Sequence, residues 1–324
     1  MKKQFLLLTF TFIVLSLIVS CNNDNPVDPE LDNSDVQYDY ELIDDEIDMP
    51  LLGAGEVVPN TNPISGDFPR AKFVNRCNFV WNNMTRTKYV HNNHKVIDDS
   101  KGIYKFDCSG FVGQIVLKKV LPEHYADLDK QVKDIVNIDG GYMHVIRPLA
   151  ATFYDYFRDV ILVDPDKIVA ENNYWKVFTS IDSLQRGDLI IVRYDDDWRQ
   201  RTNNATTGHV MIAWKIGKVN SDNVVSIQVM DATSSAHTTS ADTRTMNSPP
   251  VAEKIKVNGK YKNSGIGFGT MKYLISTNNH RRPYAYKWSL NSKYWYNLVS
   301  GDNISEPDKD RYDRIKGIIF ARAK

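Results

Sequence analysis

Apolar residues recur along this chain with two different periods, and the change between them divides it. Over residues 68–89, Phe73, Cys77, Val80 and Met84 fall three or four apart with Trp81 alongside, which predicts an amphipathic helix. Residues 104–121 read YKFDCSGFVGQIVLKKVL. Here Phe111 and Ile115, and Val112 and Val116, are i,i+4 pairs, Val120 and Leu121 extend the run, and Pro122 ends it, so a buried helix is expected to start at Cys108. A third stripe, Leu149, Phe153, Tyr156, Phe157 and Val160, predicts an inserted helix over 145–160 that covers part of any site. From Gly187 onward the pattern becomes that of short strands: Leu189–Tyr194, then GHVMIAW at 208–214, then VVSIQVM at 224–230. Polar residues at 195–207 and 220–223 separate them as loop and turn, which predicts an antiparallel meander. Residues 266–275 and 317–323 read as further strands, and 90–101 as a polar loop. Helices first and strands afterwards is the α+β order, with one helix packed on an antiparallel sheet.

The first 69 residues follow neither pattern. Lys2 and Lys3 precede an apolar stretch over 5–19, the layout of a secretory signal peptide ending at residue 20. The sequence LIVSC at 17–21 resembles the lipobox of bacterial lipoproteins. That resemblance implies a lipid on the Cys21 thiol and a chain anchored to the membrane of the bacterial cell envelope. Residues 22–69 hold 13 acidic residues and no Lys or Arg, so 21–69 reads as a disordered acidic tether. The formal net charge of zero conceals this asymmetry: from Arg70 onward there are 38 basic and 27 acidic residues, a balance of +11. No basic run is long enough to argue for nucleic acid. Residues 70–324 are expected to form one domain with an insertion at 122–179 and a C-terminal β extension.

Cysteine supplies the candidate chemistry. Cys21, Cys77 and Cys108 lack metal-type spacing and cannot build an even disulfide framework, so each needs its own explanation, and no metal or cofactor is expected. Cys77 belongs to a helical stripe and reads as a core residue. Cys108 sits at the first turn of its helix, where the partial positive charge and unpaired N–H groups favour a thiolate. A cysteine there is equally readable as a small buried apolar residue. Nucleophilic catalysis needs, besides the thiol, a base and a group that orients it. His209 heads the second strand, and Asp231 ends the third, 22 residues later. Adjacent antiparallel strands run in opposite directions, so the start of one lies beside the end of the next. His237, in the Ser/Thr-rich segment ATSSAHTTSADTR, is the rival histidine and a candidate for substrate contact.

DCSGFV opening a helix, GDLI in a strand and GHVMI in the next resemble the NlpC-type cell-wall peptidases, over roughly residues 73–232. The resemblance implies a papain-like cysteine hydrolase, with Cys108 as nucleophile, His209 as base, Asp231 as third member, and Asp107 and Ser109 shaping the site and meeting a substrate amine. The expected fold is then α+β and papain-like, a nucleophile-bearing helix on an antiparallel β-sheet. The expected activity is a monomeric, lipid-anchored peptidase cleaving amide bonds of peptidoglycan stem peptides. This chain departs from the pattern in the 101-position separation of Cys108 and His209 and in its long C-terminal extension. Those additions keep two other readings open: an amidase, deamidase or acyltransferase on another amide, and a non-catalytic binding lipoprotein. Tyr104, Trp175, Arg244 and Trp288 are candidate substrate contacts, each also readable as structural.

Overall fold

Residues 59–91, 94–164, 166–237, 242–245, 251–257, 260–277, 280–299 and 313–324 are described by the computed structural model, and they fall in one unit. Cys21, the leader and most of the acidic stretch lie outside the described residues. The last part of that stretch, from Pro59, is described. There Trp214 Nε1 donates to the Asn60 carbonyl at 3.0 Å, Arg186 Nη1 donates to the Asn62 carbonyl at 2.9 Å, and the Ile64 backbone exchanges hydrogen bonds with Asn75.

Seven strands form one closed barrel: Leu189–Tyr194 (β1), Gly208–Ile216 (β2), Val224–Thr233 (β3), Gly265–Ile275 (β4), Pro283–Lys287 (β5), Tyr296–Leu298 (β6) and Asp313–Ala323 (β7). β1 to β6 follow one another as an antiparallel meander, and β7 closes the ring by pairing antiparallel with β1 and parallel with β6. Closure with an odd number of strands forces one parallel pair, and β6–β7 is that pair. The strands alternate faces as the pleat requires. Ile190, Met211, Ile227, Tyr273 and Phe320 belong to one buried cluster, while Leu189, Ile191, Val210, Ile212 and Ile319 belong to a second cluster shared with the helices. Burial on both faces is why these strands read as continuous apolar runs rather than clean alternations.

The barrel corrects the expectation of an α+β, papain-like arrangement with a helix packed on an antiparallel sheet. Two strands of the ring, β5 and β6, are not marked by the hydrophobic pattern. β5 begins at a proline and reads PYAYK, and β6 is only YNL. Aromatic and cationic side chains hold this seam in place of an apolar run. The Arg314 guanidinium, on β7, lies 3.4 Å from the Tyr296 ring centroid and donates to Tyr286 Oη at 3.1 Å, and Tyr286 meets Tyr194 of β1 hydroxyl to hydroxyl at 3.0 Å. Trp175–Phe178 adds to the outside of β7, and Val169–Glu171 pairs with it in turn.

Among the described residues five helices longer than one turn accompany the barrel: α1 (Pro69–Asn83), α2 (108–120, built from Cys108–Gly110, Phe111–Leu117 and Lys118–Val120), α3 (Pro122–Asp129), α4 (150–162) and α5 (Asp196–Arg201). α1 stops at Asn83, short of the expected 89. α4 begins only after Pro148, and Val160, expected on its buried stripe, is exposed. α5 occupies the stretch expected to be loop, capped by Asp195, whose carboxylate accepts from the Trp198 N–H at 2.9 Å. In α2 the middle turns widen to π spacing, and the Ile115 carbonyl accepts instead from Arg76 Nε of α1 at 2.9 Å. Phe111, Val112, Ile115 and Val116 are fully buried, each contributing about 1.5–3 kcal/mol by burial. That packing fixes the start of α2 against β2 and β3. A small sheet of Arg86–Lys88, Val96–Asp98, Ile103–Lys105 and Val251–Ala252 is tied to β4, where the Ile266 N–H donates to Thr87 Oγ1 at 2.8 Å.

Candidate active site

The register of the barrel brings the head of β2, the end of β3 and the head of β4 to one rim. Val192 of β1 faces His209, and Asp231 faces Gly267 of β4. Gly208 holds φ at +147°, and a side chain there would stand 2.1 Å from the Val192 carbonyl oxygen, so only glycine lets β2 start where His209 needs it. The first turn of α2 meets the same rim. Asp107 caps it through Oδ1, accepting the Gly110 N–H at 2.7 Å. The glycine of DCSG is a packing requirement, because a β-carbon at Gly110 would fall inside the Phe106 ring.

Cys108, His209 and Asp231 are thereby brought together. Asp231 Oδ2 accepts from His209 Nε2 at 2.5 Å, and the Cys108 thiol lies near enough to bear on the pKa of the same imidazole. With Nε2 committed to Asp231, Nδ1 is the nitrogen left to the sulfur. Burial alone would lower the His209 pKa, but the charge and hydrogen bonding of Cys108 and Asp231 outweigh it and lift the imidazole to about 10. Cys108 and His209 are only 5% and 6% exposed, so the polar pair sits in a low-dielectric setting where charge pairing is strong. The helix leaves the first-turn N–H groups without intrahelical acceptors, which suits a developing oxyanion. Cys77 is different: it is fully buried in the α1 stripe, and burial pushes its thiol pKa up, which makes it inert.

Asp231 serves more than His209. Its Oδ2 also accepts from His237 Nε2 at 3.0 Å, and its Oδ1 is bound by Arg244 Nη2. Burial would raise the Asp231 pKa, but the charges of His237 and Arg244 and the hydrogen bonds from both histidines hold it well below the ordinary carboxylate range. His237 Nδ1 in turn bonds the Trp288 carbonyl at 2.7 Å, so both of its ring nitrogens point at acceptors. The Trp288 ring lies 4.4 Å from His237 and 5.1 Å from His209, centroid to centroid, and walls the pair. Arg244 is buried whole, with Nε on the Gly265 carbonyl at 2.8 Å and Nη1 on Asp242 Oδ2 at 2.7 Å. Asp242 closes the network by accepting the His237 N–H at 2.8 Å.

The expected substrate contacts divide. Asp107 and Ser109 flank the thiol, bonded to each other at 3.2 Å and both held by Arg147. Tyr104 has no exposed surface, and its hydroxyl donates to Asp99 at 2.9 Å, so it braces the small sheet and does not line the site. Trp175 also has no exposed surface and packs on His124 and Phe157. Arg244 is buried beneath Asp231, and its side chain presents no surface for a bound molecule to touch. A surface hollow lined by Lys72, Asn75, Phe79 and Val120 among others contains none of the site residues. Among the described residues no grouping of His, Cys, Asp and Glu is arranged to hold a metal ion, and no helix is long and apolar enough to cross a membrane.

His237, Asp242 and Arg147 were not assigned these roles by spacing alone. One signal in the sequence did point to the first two. Gly265, Gly267 and Gly269 alternate along one face of β4, and a β-carbon at Gly267 or Gly269 would collide with Arg244 or His237 respectively. A glycine stripe inside a strand marks close approach of other groups. Comparison of the chain with family models, with characterised proteins and with solved structures gives no match.

Proposed function

We propose that this chain is a cysteine hydrolase of the bacterial cell envelope that cleaves amide bonds, with Cys108 as nucleophile, His209 as acid–base and Asp231 as orienting carboxylate. The observation that carries the reading is the buried cluster in which His209 donates to Asp231 at 2.5 Å and the helix turn headed by Cys108 packs on the two strands that carry them. The Cys108 sulfur attacks the carbonyl carbon and the N–H groups of the helix start hold the oxyanion. His209 Nδ1 gives its proton to the leaving amine as the C–N bond breaks. Water then hydrolyses the thioester, its proton returning to His209. Peptidoglycan stem peptides are the proposed substrate class, on the likeness of DCSGFV and GHVMI to cell-wall peptidases and on the lipobox-like LIVSC leader, which would anchor the enzyme to the membrane facing that polymer.

Incubating the full chain with purified muropeptides and reading the products by mass spectrometry tests the assignment. Hydrolysis yields paired fragments carrying a new amine and a new carboxylate. Loss of ammonia alone would identify a deamidase, joined acyl fragments a transferase, and unchanged muropeptides would refute this substrate class.

A further inference from the structure

The groups beside the nucleophile are already spent on one another. A carboxylate offers about four acceptor positions, and Asp107 fills them all. Its Oδ1 takes the Gly110 N–H at 2.7 Å and the Ser109 hydroxyl at 3.2 Å. Its Oδ2 takes Arg147 Nη2 and, at 3.2 Å, His91 Nδ1. The Ser109 oxygen in turn accepts from Arg147 Nη1 at 2.9 Å. Burial would raise the Asp107 pKa, but the Arg147 charge and the His91 contact hold it below the ordinary carboxylate range, so the acid is ionised and matched by the guanidinium. Arg147 comes from the 122–179 insertion, lies 5.2 Å over the Phe106 ring and keeps 12% of its side chain exposed.

This arrangement decides which acyl groups can approach. Residues 107 and 109 flank the attacking sulfur, so they border the atoms next to the scissile carbonyl. An ammonium there would find no open acceptor position on Asp107, and the more exposed member of the ion pair is the cation, at 12% against 3%. We propose that Arg147 is a specificity-determining residue that turns the site away from acyl donors with a free amine beside the scissile carbonyl and towards those whose amine is acylated and uncharged. The inference rests on the hydrolase reading above and deepens it: the substrate is an internal amide of a blocked or continuing peptide, not the first amide of a free N-terminus.

The test uses the full chain and two acyloxymethyl ketone probes built on one amino acid, one with its α-amine free and one N-acetylated, with Cys108 labelling followed by mass spectrometry. The acetylated probe is expected to label wild type at least about tenfold faster, as like charges in a cleft exclude one another. Arg147→Met, which exposes the Asp107 charge, is expected to erase or reverse that ratio, and Arg147→Lys to keep most of it. Equal rates in wild type, or a faster free-amine probe, overturn the inference alone, and that result stands even if Arg147→Met does not fold. An Arg147→Met variant that folds and keeps the wild-type ratio overturns it as well. No labelling of Cys108 by either probe overturns the hydrolase reading and the inference together.

Discussion

Replacing Cys108 by alanine is expected to lower amide hydrolysis by on the order of 10⁴-fold or more while leaving the fold in place. The residue contributes a single sulfur at the rim of the barrel. The helix it heads is fixed by Phe111, Val112, Ile115 and Val116, all fully buried, and by the Asp107 cap on Gly110. Losing the sulfur therefore costs about 1 kcal/mol or less, the usual size for a substitution that breaks no cap and opens no large cavity. Cys77→Ala is the matching control, because that sulfur lies in the α1 core: stability falls and turnover does not. Product formation from muropeptides, set beside thermal unfolding of both variants, separates the two. Full turnover in Cys108→Ala would remove the nucleophile assignment.

Arg244→Met is expected to be the most destabilising change in the site, at about 3–5 kcal/mol, because it strands a buried charge. Asp231 and Asp242 share this one guanidinium and both are fully buried. Without it one carboxylate is left with no cation, and the Gly265 carbonyl loses its donor. Methionine fills the space over Gly267 but cannot bond. For a domain of this size the melting temperature should fall by roughly 10 °C, and turnover should fall with it, since Asp231 no longer holds His209. A variant that melts within about a degree of wild type would show that the Asp231 network is not a structural unit.

The parts of this site that were legible in the sequence are those governed by local periodicity. An apolar 3.6 period placed α2, and short apolar runs placed β1 to β4 and β7. Antiparallel pairing then made it a geometric consequence that His209, at the head of β2, meets Asp231, at the end of β3. Barrel closure was not legible, because Tyr286, Tyr296 and Arg314 hold the seam through ring and guanidinium contacts that have no hydrophobic period. Arg244 was one of four candidate substrate contacts, but its burial under Asp231 depends on β4 lacking a side chain at Gly267. His237 looked like a loop residue by composition; the glycine at 269 marks a close approach to β4, but only the folded chain shows that His237 makes it. Arg147 belongs to the insertion, and only the folded chain brings it to Asp107, 40 residues away.

The proposed hydrolysis requires His209 to act on the Cys108 sulfur, and the rate at which iodoacetamide alkylates each cysteine of the folded chain near neutral pH measures that directly. Cys108 is expected to react first, Cys77 to resist until the chain unfolds, and His209→Ala to slow Cys108 by at least about tenfold. Alkylation of Cys108 at the same rate in wild type and His209→Ala would contradict the relay on which the proposed chemistry depends.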